Sequence, residues 1–238
     1  MVEKSYIAGE TKLQRQNRKR KEKENKRRLK LIPEPVPPRT TTENVAFVLG
    51  NGKSRESINP VDLRPYGLIY GCNALYRSFR PDHLIAVDTK MIKEITNKDY
   101  HKHNAVWTNP NRYTRNINGL NLFDPNLGWS SGPSALNLAS THGNKTIYIL
   151  GFDYHGIGNK QELVNNVYSG TENYKKVNDR ATYFGNWSRQ TGICIKRNPE
   201  VKYIRIIENG KSFIPDHLQG IINLTHITVE NFMKRFEL

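Results

Sequence analysis

Val45-Ala46-Phe47-Val48-Leu49-Gly50-Asn51-Gly52-Lys53-Ser54 is the stretch that decides the fold. Five apolar residues run into a Gly-Asn-Gly turn, and polar residues able to open a helix follow. A short apolar run bounded by glycine fits a strand buried on both faces, as in a parallel sheet. Glycine at the turn allows a sharp bend and a close approach to a ligand. Free N–H groups of a following helix would then face an anion. The stretch is therefore read as the first βα unit of a nucleotide-binding α/β domain.

Working outward, Gly67-Leu68-Ile69-Tyr70-Gly71, His83-Leu84-Ile85-Ala86-Val87, Lys145-Thr146-Ile147-Tyr148-Ile149-Leu150 and the run from Val201 to Ile207 read as further strands. Helices are expected over Met91–Thr96, Ser134–Thr141 and Val229–Phe236. Ser130-Ser131-Gly132-Pro133 supplies hydroxyl caps and a first-turn proline for the second of these. Strands alternating with helices predict an α/β fold: a Rossmann-like, mostly parallel sheet with helices on both faces, over residues 45–238. In such sheets ligands sit beyond the carboxyl ends of the strands. Gly50-Asn51-Gly52, Asn73, Asp88 and Gly151-Phe152-Asp153 all fall at those ends.

The first 44 residues read differently. They hold thirteen basic and six acidic side chains, a net +7 of the chain's +15, so the remaining residues carry +8. The run from Thr11 to Lys30 has too few apolar residues to bury a core. Pro33-Glu34-Pro35-Val36-Pro37-Pro38 imposes an extended linker. A basic arm followed by a Pro-rich linker is thus expected over residues 1–44, with Arg15, Arg18, Lys19, Arg20, Lys21, Arg27 and Arg28 facing DNA or a partner protein; a solvated tail is the plainer reading. No apolar run approaches the roughly 18–20 residues that cross a bilayer, and no secretory apolar region opens the chain, so no membrane association is expected. Cys72 and Cys194 offer neither metal spacing nor a disulfide framework and are expected as free thiols.

Several motifs carry chemistry, each beside a plainer role. Gly50-Asn51-Gly52-Lys53-Ser54 is too short between glycines for a P-loop, and Arg55 breaks the Gly-x-Gly-x-x-Gly pattern. It is a ligand contact or a tight turn. Asn73 can read a sugar hydroxyl or base edge, or satisfy local backbone. Asp88 can accept from a sugar hydroxyl, hold a cation, or cap a helix. Ser131 and Gly132 open a helix that either binds a second anion or is simply capped. Asp153 and His155 end the strand before a long polar segment rich in Asn and aromatics, which reads as a binding loop or lid. His155 is the histidine best placed for acid–base work.

Taken in order, Leu-Gly-Asn-Gly-x-Ser, Cys-Asn-x-x-Tyr, Ser-Ser-Gly and Ile-x-Leu-Gly-Phe-Asp-Tyr make residues 45–155 resemble the bacterial sialyltransferases of glycosyltransferase family 42. The chain is also similar to small proteins of tailed bacteriophages that carry this domain. The resemblance implies a nucleotide site formed by Gly50, Asn51, Gly52, Ser54, Asn73, Asp88, Ser131 and Gly132, with no metal and no cofactor. The donor would be a nucleotide-sugar, CMP-linked in the family, acting as substrate, and Tyr168, Tyr174 and Tyr183 would serve its phosphate. The family's histidine base lies in the loop beyond the Gly-x-Asp strand. Residues 156–200 hold no histidine, so His155, with Asp153, would have to substitute. Two functional expectations follow. One is a nucleotide-sugar-binding, metal-independent glycosyltransferase of the host cytoplasm. The other is a non-catalytic virion or nucleic-acid-associated protein that keeps the fold and anchors through its arm.

Overall fold

The computed structural model describes residues 14–16, 44–210 and 213–238. The chain forms two compact units, Met1–Val36 and Pro37–Leu238. In the first, residues 14–16 are helical. Of the arm's expected contact residues only Arg15 is described; Arg18, Lys19, Arg20, Lys21, Arg27 and Arg28 lie outside the described residues.

The second unit is an α/β domain built on one eight-stranded, all-parallel sheet. Its strands are β1 (Val45–Leu49), β2 (Leu68–Cys72), β3 (His83–Ile85), β4 (Val106–Thr108), β5 (Leu120–Leu122), β6 (Thr146–Leu150), β7 (Lys202–Ile207) and β8 (Leu224–Thr228). The helices are α1 (Thr89–Asn97), α2 (Ser131–Thr141), α3 (Gly185–Arg197) and α4 (Val229–Phe236). The spatial order 5-4-3-2-1-6-7-8 means that the chain steps outward from β1 to β5, then returns to lay β6 against the other side of β1. The seam between β1 and β6 is the switch point where a Rossmann-like sheet opens a crevice.

Strand alternation splits the core into two layers. Ala46 and Val48 face a layer with Ala135, Ala139 and Cys194 of α2 and α3. Phe47 and Leu49 face one with Val229, Phe232 and Phe236 of α4, where Phe47 stacks on Tyr148 at 5.4 Å between centroids. Both layers are apolar, which is why β1 and β6 carry continuous hydrophobic runs.

Three sequence expectations need correction. After the Gly-Asn-Gly turn the chain makes a single 3₁₀ turn over Lys53–Arg55 rather than a helix. The long polar segment is not loop throughout, because its last part is α3. Strands β4, β5 and β8 complete the sheet without having shown as apolar runs.

Candidate functional site

A cleft of about 220 Å³ opens at the carboxyl ends of β1 and β6. Its walls are Gly50–Gly52, Cys72–Asn73, Val87–Asp88, the start of α2 at Ser130–Pro133, and the run from Gly151 to His155. Asn165, Asn166, Phe184 and Trp187 close its outer side. Eight sequence-derived residues therefore meet here: Gly50, Asn51, Gly52, Asn73, Asp88, Ser131, Gly132 and His155; Asp153 makes a ninth.

The glycines have a different reason from the one expected. A Cβ on Gly50 would lie 2.5 Å from the Gly151 carbonyl, and one on Gly52 would lie 2.5 Å from the Asp153 carboxylate. Both positions are small because the two rim loops are pressed together. Gly50 N–H donates to Leu150 O at 2.8 Å and Gly52 N–H to Gly151 O at 2.9 Å. Nor are the N–H groups after the turn free for an anion. Lys53 N–H donates to Asn165 Oδ1 at 3.0 Å, and Ser54 N–H and Oγ–H both donate to Asp153. The carboxylate of Asp153 thus caps the 3₁₀ turn, and Ser54 serves that cap.

Across the cleft the start of α2 is available. Ser131 and Gly132 occupy its first turn, whose N–H groups have no intrahelical acceptor. The helix dipole adds partial positive charge there. Ser131 Oγ donates to Asn73 Oδ1 at 2.8 Å and accepts from Val87 N–H at 3.1 Å, tying the ends of β2 and β3 to α2. Asn73 holds φ at 53°, in the left-handed region that asparagine tolerates. With Oδ1 engaged, its amide Nδ2 has no acceptor among the described residues. Asn51 Nδ2 donates to Tyr174 Oη at 3.1 Å, while Asn51 Oδ1 is buried with no partner. Asp88 stands at the N-cap of α1, exposed and without a side-chain cap bond.

His155 is half-buried on the cleft wall. Its Nδ1 lies 2.9 Å from Gly156 O. A carbonyl oxygen only accepts, so Nδ1 carries the hydrogen and the neutral ring keeps its lone pair on Nε2. The preceding Tyr154 sits at φ 60°, an unusual conformation for an aromatic residue. It is held by its hydroxyl, which donates to Thr191 Oγ1 at 2.7 Å, and by the Arg205 guanidinium 5.1 Å from its ring. Arg205, 2 % exposed, donates to the carbonyls of Phe152, Asp153 and Phe213 at 2.8, 3.0 and 3.0 Å. It fixes the turn that presents Asp153, Tyr154 and His155. Cys72, on the cleft floor, is a neutral thiol: burial pushes it up to about 12, with Arg55 opposing.

The three tyrosines lie off the cleft. Tyr174 Oη accepts from Asn51 Nδ2 and from Ala74 N–H at 3.3 Å, and burial raises its pKa. The Tyr168 hydroxyl is 3.2 Å from Ser78 Oγ, and the rings of Tyr168 and Tyr174 lie under Arg55 and Arg77 at 5.9 and 5.6 Å. These two anchor the segment that follows β6 as a strap across the rim. Tyr183 is 77 % exposed. Phe184 and Arg205 are site residues that the sequence reading missed. Only Arg205 left a signal, a cation inside a strand that must be buried.

Compared with protein-family models, with curated proteins and with solved structures, the chain matches none.

Proposed function

We propose that the β1–β6 cleft binds a nucleotide or nucleotide-sugar and that the domain works as a glycosyltransferase. The observation that carries this reading is the set of polar groups left without partners on opposite cleft walls. The first N–H groups of α2 and the Asn73 amide await an anion or acceptor, and the buried Asn51 Oδ1 awaits a donor. A phosphate on α2 together with a sugar hydroxyl or base amino group on Asn51 satisfies both.

In the transfer step, His155 Nε2 takes the proton of an acceptor hydroxyl as its oxygen attacks the anomeric carbon. The bond from that carbon to the donor phosphate breaks, and the electron pair leaves on the phosphate. The start of α2 stabilises that developing charge. Asp153, tied to Ser54, positions the rim rather than exchanging protons.

Thermal unfolding against CMP, CMP-sugars, UDP-sugars and GDP-sugars tests the reading. A ligand at 100 times its Kd adds about 2.7 kcal/mol, a rise of about 5–10 °C for a domain of this size. Asn73→Ala is expected to abolish the shift; a shift unchanged in that variant, or none across the panel, overturns the site. His155→Asn is expected to keep the shift and lower turnover by about 10²–10⁴-fold.

A further inference from the structure

At the cleft mouth lies a surface that shares only Phe184 and Trp187 with the cleft. Tyr183 and Arg180 line a shallow recess with Gln161 and Glu162, and Phe184 belongs both to this recess and to the cleft wall, where Trp187 follows. Tyr183 and Trp187 are 77 % and 37 % exposed, costly positions for large aromatics on a surface without a partner. The shelf is built in place. A Cβ on Gly185 would lie 2.3 Å from Tyr183 Cζ, so the ring lies directly over the first residue of α3. Behind it, Ala181 N–H donates to Glu162 O at 2.7 Å and Val164 N–H to Asp179 O at 3.1 Å, pinning the stretch that carries Arg180.

Beside this shelf three cations outnumber two carboxylates, Glu162 and Asp179, and the Lys175 ammonium donates to Arg180 O at 3.0 Å. Lys175, Lys176 and Arg180 are exposed, and none forms an ion pair among the described residues. The carboxylate of Asp179 accepts from the Lys176 backbone N–H at 2.8 Å. Flat aromatic faces next to unpaired cations match the stacking-plus-phosphate chemistry of single-stranded nucleic acid. A neutral glycan would use the rings and leave the cations idle.

We infer that Tyr183, Phe184 and Trp187, with Arg180 and its neighbouring lysines, bind a single-stranded nucleic acid segment across the cleft mouth. This goes beyond the nucleotide reading and does not depend on it. The test is fluorescence anisotropy of a labelled fifteen-residue oligothymidylate with the full chain in 0.1 and 0.5 M salt. High salt screens contacts made by other basic residues and leaves stacking. Tyr183→Ala is expected to weaken binding about tenfold at 0.5 M salt with an unchanged melting temperature. Arg180→Gln is expected to reduce the slope of log K against log salt by about 0.7. Asn73→Ala, which removes nucleotide binding, is expected to bind the oligonucleotide as the natural chain does, so the two readings fail separately. Equal affinity of Tyr183→Ala and the natural chain at 0.5 M salt overturns the inference. So does quenching of Trp187 fluorescence by maltohexaose with none by the oligonucleotide.

Discussion

Gly52 and Asp153 share one volume at the seam, and that makes the rim sensitive to a single methyl group. Gly52 has an ordinary φ of −67°, so a substitution there meets steric rather than backbone resistance. Gly52→Ala puts Cβ into the Asp153 carboxylate and is expected to cost about 1–3 kcal/mol, read as a lower melting temperature. Combined with Asp153→Ala the loss should be clearly less than the sum of the two single losses; strict additivity would show that the residues do not compete for space. At this scale the sequence was legible for residue types and misleading for reasons. Gly50, Asn51, Asn73, Ser131 and His155 do converge. But whether a glycine faces a ligand or a neighbouring loop depends on β6, about a hundred residues away, and no local pattern encodes that. The hydroxyls of Tyr168 and Tyr174 likewise found partners in the turns after β1 (Asn51 and Arg55) and after β2 (Ala74 and Ser78), distant in sequence.

At the level of elements, one carboxylate joins Tyr168 and Tyr174 in fastening the strap after β6. Glu94 of α1, side chain 3 % exposed, accepts from Arg77 at 2.8 and 2.5 Å, Tyr76 at 2.5 Å, Lys98 at 2.9 Å and Asn173 of the strap at 2.8 Å. Burial opposes its charge, but the bonds from Arg77, Tyr76, Lys98 and Asn173 outweigh that and bring it down to about 2. A carboxylate whose folded pKa lies below its unfolded value stabilises the fold above about pH 4.5, and that contribution is lost as pH falls toward about 2. Glu94→Gln keeps the shape and removes the charge, so trypsin should cut faster after Lys175, Lys176 or Arg180; unchanged cleavage would mean that the strap is held elsewhere. The elements differed in how readable they were. β1, β6 and α2 carry plain apolar runs or caps. The buried face of α3 consists of Ser188, Gln190, Thr191, Gly192, Cys194 and Ile195, small and polar residues that give almost no periodic apolar signal. β4 and β5 have three residues each, and edge strand β8 reads Leu-Thr-His-Ile-Thr, three of its five residues polar.

Across the whole molecule, histidines set the acid limit of stability. Burial lowers the pKa of His83, reinforced by His142 and opposed by Asp82; burial alone lowers His142. Burial also lowers His101, opposed by Asp99, and brings His226 down to about 4 with help from Arg205. One contact agrees: Trp107 Nε1–H donates to His83 Nδ1 at 3.3 Å, which requires a lone pair on that nitrogen. Burial favours a neutral ring at all four positions in the folded state. The unfolded chain takes up protons first as pH falls below about 6.5, so stability is full above that value and declines toward about pH 4. The urea midpoint should drop steadily between pH 7 and 4, and His226→Gln should flatten the lower part of that curve; a midpoint constant over the range would contradict the neutral rings.

The sheet order has one more consequence. Residues 45–122 supply β1–β5, and residues 131–228 supply α2 and every later strand; within the sheet the two halves pair only at β1 and β6, and α2 lies across that seam onto β1, β2 and β3. Asn51 and Asn73 stand on one side of that seam and Ser131, Asp153 and His155 on the other, so neither half holds a site. The link between them, residues 124–128, is exposed throughout. Two polypeptides divided there carry complementary halves of one cleft, and recovered ligand binding on mixing would serve as a direct gauge of their reassembly.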